Sequence, residues 1–162
     1  MSRLSVNTYG LPIPVTAELL AITTDSPAHT GVFVEAIDFL VPVDTPVIAP
    51  LSGVVSVVSD GHTQHGPSAK YADKVNYICL AHDNNEHSEY LHLAADSIEV
   101  EPNMRIQTGQ LLGRTGLSGW MTAPHLHWFV YHSDKSKPTP SITGLKPCLS
   151  NEAAQVFGRF LS

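Results

Sequence analysis

The sequence predicts an all-β domain, a compact antiparallel sandwich or small barrel with a short C-terminal helix. Three observations carry this. The apolar runs are short and rich in β-branched and aromatic residues, as in Gly53–Ser59 and Trp128–Tyr131. Eleven glycines and 12 prolines punctuate those runs at turn positions. Helical periodicity is confined to Asn151–Phe160.

The 162 residues suffice for one domain with a sizeable core. Hydrophobic residues make up 43% and charged ones 15%, a globular composition. A formal net charge of −6 speaks against nucleic acid or an anionic membrane surface as partner. No run approaches the roughly 20 apolar residues of a membrane span. No signal peptide is visible, because Pro12, Pro14 and Glu18 interrupt the first apolar stretch. The chain thus reads as cytoplasmic as written, or as exported once a leader has been removed. Nine histidines equal the nine Lys and Arg together, a ratio that favours metal or acid–base chemistry. Cys79 and Cys148 form no metal-type cluster, and nothing in their spacing supports a disulfide. Oligomeric state leaves no mark on the sequence.

In chain order, residues 1–28 read as an N-terminal wrap. His29-Thr30-Gly31 then leads into the apolar run Val32–Val41, read as strand, with Gly31 permitting a sharp bend. Asp38 lies inside that run, where a carboxylate needs a cation or donors, or else caps a neighbouring turn. Residues 60–73 read as a polar loop with His62 and His65 solvated. Tyr77–His82 and Ser88–Leu93 flank Asp83-Asn-Asn-Glu86 and form a hairpin, with His82 and His92 on paired strands. Gly109–Gly116 marks tight turns. His125-Leu126-His127 feeds the strand Trp128–Tyr131, and a period of two puts both imidazoles on one face. Such a pair can share one metal, divide into ligand and acid–base catalyst, or sit satisfied by backbone groups. Lys135–Pro147 reads as a Pro/Ser-rich linker before a short helix capped by Asn151. The expected division is 1–28, a domain at 29–134, and a 135–162 tail.

Four segments in order resemble the lysostaphin-type (LytM-like) zinc metallopeptidases. They are Ala36-Ile-Asp-Phe39 followed by Thr45–Ala49; Tyr90-Leu-His-Leu93; Gly109-Gln-Leu-Leu-Gly113 with Thr115-Gly116; and Pro124-His-Leu-His127. The resemblance spans about His29 to Tyr131. It implies a barrel-sandwich hybrid of the duplicated-hybrid-motif type and one Zn2+ per chain held by Asp38 and His127. It also implies catalytic assistance from His92 and His125, and a peptide substrate of the kind that cross-links peptidoglycan. Val34 stands where the family pattern has its first zinc histidine, four residues before the aspartate. His29 is the expected replacement, with Val32–Ala36 as an insertion, because Gly31 lets the chain loop out and return. Glu35 would face away from Asp38 along a regular strand. Asp44 replaces a frequent glycine and is expected to adopt a left-handed turn.

Two alternatives remain at this point. One is a metal-poor, catalytically degenerate binding or regulatory module on the same fold. The other is a biotinyl- or lipoyl-type carrier, which Ala49–Val55, Thr108–Leu112 and Asp73-Lys74-Val75 resemble. In carriers the modified lysine follows the Gly-Gln-Leu-Leu segment, whereas Lys74 precedes it.

Overall fold

A computed structural model describes all 162 residues. The strands are β1 Leu4–Tyr9, β2 Ala21–Thr23, β3 Ile37–Leu40, β4 Pro46–Ile48, β5 Gly53–Ser59, β6 His65–Gly66 and β7 Tyr77–Ala81. They continue with β8 Glu86–Leu91, β9 Arg105–Ile106, β10 Leu111–Arg114, β11 Gly119–Trp120, β12 Leu126–Asp134 and β13 Ser141–Leu149. The helix α1, Asn151–Phe160, follows. The main sheet runs β1-β13-β12-β8-β7-β5-β9, with β3 and β2 branching from β12. The all-β expectation with one short C-terminal helix is met.

Strand β12 organises the sheet. One of its edges pairs with β8; the other is shared, β3 lying along Leu126–Trp128 and β13 along Val130–Asp134. Its alternation separates two environments. Leu126, Trp128 and Val130 enter the main core with Phe39, Tyr90, Leu112 and the helix residues Val156 and Phe157. His127, Phe129 and Tyr131 face the other way, where Phe129 and Tyr131 join a small cluster with Ala36 and Cys79. Trp128 is fully buried, and its truncation to alanine is expected to cost about 3–5 kcal/mol.

Several expectations need correction. Residues 1–28 are more than a wrap: β1 lies parallel to β13 and closes the sheet edge. Its bulge is held by the buried Glu86 carboxylate, which accepts from the Val6 and Asn7 amides and from the Tyr9 hydroxyl at 3.0 Å. Lys135–Pro147 is no linker but a hairpin turn followed by β13. Pro147 falls beyond the last β12 pair, Val130–Leu145, so its missing N–H interrupts no bond to β12. The sheet therefore crosses both expected boundaries. The polar loop at 60–73 contains the short strand β6, paired with β11, and a 3-10 turn at Ala69–Tyr71. The helix cap is Ser150, whose hydroxyl accepts from the Ala153 amide at 3.2 Å. Both cysteines are free. Asp44 does take the left-handed conformation, at φ 67°.

Candidate active site

Asp38 and His127 are brought together by backbone register. They are directly opposed across the antiparallel β3/β12 pair, both on the face turned away from the core. Their side chains meet at 2.9 Å, His127 Nδ1 to Asp38 Oδ1. His29 arrives by another route. Gly31, at φ 60°, opens a 3-10 turn over Gly31–Phe33, and strand resumes only at Ile37. The expected strand through Val32–Ala36 is thus a turn that carries the insertion outward. Val34 is 58% exposed and points into solvent, while His29 is buried with Nε2 3.2 Å from Asp38 Oδ1.

The histidine tautomers follow from their neighbours, because a carbonyl only accepts. His29 Nδ1 lies 2.7 Å from the Thr24 carbonyl, His92 Nδ1 2.7 Å from that of Ser118, and His125 Nδ1 2.8 Å from that of Ala123. In each neutral ring the proton sits on Nδ1 and the Nε2 lone pair is free. The His29 Nε2 is buried without a hydrogen-bond partner and lies 3.2 Å from Asp38 Oδ1. Two electron-rich atoms packed together away from water are unfavourable unless a cation lies between them. His29 Nε2, Asp38 Oδ1 and His127 Nδ1 lie within 4.8 Å of one another, as do donor atoms of His92, His125 and His127. The donor set fits a metal ion of zinc character.

Electrostatics follow from the same crowding. Burial pushes the Asp38 carboxyl up, but the hydrogen bond from His127 and the close His29 and His125 rings outweigh it and hold the group well below the usual range. Burial lowers the His92 pKa to about 3, with His125 adding repulsion, so its imidazole is neutral. His127 is also lowered, by burial first and against the pull of Asp38. His29 is raised, since Asp38 more than offsets its burial.

The structure adds what spacing did not show. His92 lies just past the end of β8, at φ 66°, a left-handed conformation that costs on the order of 1–3 kcal/mol for a non-glycine residue. That turn sets its ring 4.6 Å from the ring of His125, which stands half-buried at the rim. His62 and His65 stay away from the cluster.

The profile of peptidase family M23 matches residues 32–139. The chain belongs to peptidase family M23. The peptidoglycan DD-endopeptidase ShyA of Vibrio cholerae is 35% identical over 125 residues, covering 77% of this chain and 26% of that protein. Lysostaphin of Staphylococcus simulans is 32% identical over 93 residues, covering 57% of this chain and 17% of that protein. The chain thus spans about a quarter or less of these curated relatives. Among solved structures, a zinc-containing peptidase from Vibrio cholerae superposes with a TM-score of 0.55 at 27% identity, covering 76% of this chain and 36% of that one. The M23 family resemblance seen in the four sequence segments is correct.

Proposed function

We propose that this M23 chain is a zinc-dependent endopeptidase that cleaves peptide cross-links of bacterial peptidoglycan, with zinc held by His29, Asp38 and His127. The observation that carries the reading is the buried, unpartnered His29 Nε2 directed at Asp38 beside His127. The endopeptidase relatives supply the substrate class. Zinc at this place would polarise the scissile carbonyl and activate water at neutral pH.

The chain's own residues divide the remaining work. For His127 to offer Nδ1 as a ligand, its proton must sit on Nε2 instead of bridging to Asp38. The Ser118 carbonyl holds His92 with its Nε2 lone pair outward, and burial keeps that ring neutral; it accepts a hydrogen bond from the attacking water and orients it. His125 is held in the same tautomer but stands at the rim, where a charged ring stays solvated. It takes the proton as general base and returns it to the leaving amine.

The test is metal content of protein purified without added metal, wild type against His29→Ala, followed by release of peptide fragments from purified cell wall. About one zinc per chain, lost in the variant, supports the site. Zinc retained in His29→Ala but lost in His125→Ala would place it instead among His92, His125 and His127. No zinc in wild type, even after reconstitution, would leave the metal-poor binding module.

A further inference from the structure

The groove over the histidines has two unlike sides. On one, the Phe33 ring forms a wall, packed edge-on against His127 with centroids 5.6 Å apart. On the other lies a cavity of about 410 Å³ that reaches His92, His125, His127 and Asp38. Its lining includes two carboxylates, Asp25 and Asp38, and no lysine or arginine. Asp38 is surrounded by the rings of His29, His125 and His127. Asp25 is exposed, and the hydrogen bonds of that residue run through its backbone alone: the amide donates to Thr23 Oγ1 at 3.1 Å and the carbonyl accepts from it at 3.5 Å. Its carboxylate is therefore free for a ligand.

The backbone that presents this carboxylate is fixed from both sides. Thr23, the last residue of β2, stands opposite Asp38 in the β2/β3 pair. The Thr24 carbonyl accepts from His29 Nδ1 at 2.7 Å, and the Ser26 carbonyl accepts from the His29 amide at 2.9 Å. Asp25 thus lies between the two residues that hold His29 in place. Its charge reaches that ring: against the lowering by burial, Asp38, the Thr24 carbonyl and then Asp25 raise the His29 pKa. Leu40, Pro67, Trp120 and Met121 supply carbon surface in the same cavity. This combination suits a side chain with an aliphatic stem and an ammonium tip. An anionic side chain would face Asp25 with no lysine or arginine in the cavity to offset it.

We infer that Asp25 is a specificity-determining residue, which pairs with the ammonium of a diamino residue beside the scissile bond. The inference rests on the peptidase reading above and agrees with its substrate class. Residues with a second amine are natural branch points for peptide cross-links, and those left unacylated are cationic at neutral pH.

The experiment uses zinc-reconstituted protein and short peptides in which each position near the scissile bond is varied through Lys, ornithine, norleucine and Glu. Lys or ornithine is expected to exceed norleucine at one position by about fivefold in kcat/KM at low salt, through KM, with Glu lowest. The ratio should fall toward one in about 0.5 M salt. Asp25→Asn should remove the preference with zinc content at the wild-type level, and Asp25→Lys should turn it toward Glu. Independently of turnover, the Asp25 and Ser26 amide resonances should shift saturably with acetyl-Ala-Lys-Ala-amide and not with its norleucine analogue. Norleucine equal to Lys at every position, or a Lys preference that survives Asp25→Lys, overturns the assignment. Loss of zinc from Asp25→Asn overturns it too, making the residue a support for His29. Failure to cleave any peptide overturns the peptidase reading instead, and the amide shifts then still decide whether the cavity takes an ammonium.

Discussion

A half-buried histidine, His82, and the histidine cluster around Asp38 lie in this domain, and they are satisfied in opposite ways. His82 contacts the Ser52 carbonyl through Nδ1 and the Ser88 hydroxyl through Nε2, both at 2.7 Å, and Ser88 in turn contacts the Tyr90 hydroxyl at 2.7 Å. Both ring nitrogens have partners within the protein. A Ser–His contact of this kind suggests a nucleophile, but Ser88 is fully buried and no substrate can reach it. In the Asp38 cluster three imidazoles surround one carboxylate oxygen, and His29 Nε2 has no hydrogen-bond partner. Residue types alone do not separate structural from functional histidines here. The difference lies in whether lone pairs end on donors or on one another.

The sharpest break between the two should come from His29→Ala, which is expected to reduce wall-peptide hydrolysis to background and abolish zinc retention while the far-UV circular dichroism stays native. Next in size, His92→Ala and His125→Ala should each lower kcat by about 10²–10⁴-fold with zinc content unchanged, measured on the same preparations. His82→Ala should do the reverse. It removes one of the two partners of the buried Ser88 hydroxyl and opens the Ser52 carbonyl to water, costing about 1–2 kcal/mol in urea unfolding, while kcat/KM stays within twofold or so of wild type.

The smallest effect concerns Glu89, a half-way case on the outer face of the sheet. Burial raises its pKa to about 7, partly opposed by contacts with Tyr131 and Cys79. The native chain therefore binds this proton more tightly than the unfolded chain, whose carboxyl titrates near 4.5. The stability from this group is full below about pH 4.5 and is lost as pH rises toward 7. His87, lowered to about 4 by burial, contributes the opposite slope between its folded and unfolded pKa values. The difference between Glu89→Gln and wild type isolates the acid. The variant should gain relative stability between pH 4.5 and 7, at no more than about 1.4 kcal/mol per pH unit, in denaturant titrations repeated across that range.

The fold class and most of the cluster were legible in the sequence, because local patterns encode them. Alternation along Leu126–Tyr131 gives the two faces of β12, and the Asp83–Glu86 turn gives the β7/β8 hairpin. The joining of chain ends was not legible. β1 and β13 pair in parallel across nearly the whole chain, and neither Leu4–Tyr9 nor the Pro- and Ser-rich run carries a mark of its partner. The return of His29 to Asp38 could be anticipated from Gly31 and the family pattern, but the 3-10 turn that achieves it has no period to read. The left-handed backbone of His92 and the Phe33 wall were equally invisible, since both depend on tertiary packing around one residue.

The three proposed ligands differ in how they are anchored, and this bears on kinetics. Asp38 and His127 stand opposite each other in a ladder buried in the middle of the domain. His29 is joined to them through a turn and oriented by one carbonyl, that of Thr24. Two arms of the site thus last as long as the sheet, and the third lasts only as long as residues 24–33 stay closed. Exchange of a bound ion would then follow local opening of that segment rather than global unfolding, and a chelator should remove it at a rate insensitive to low concentrations of urea.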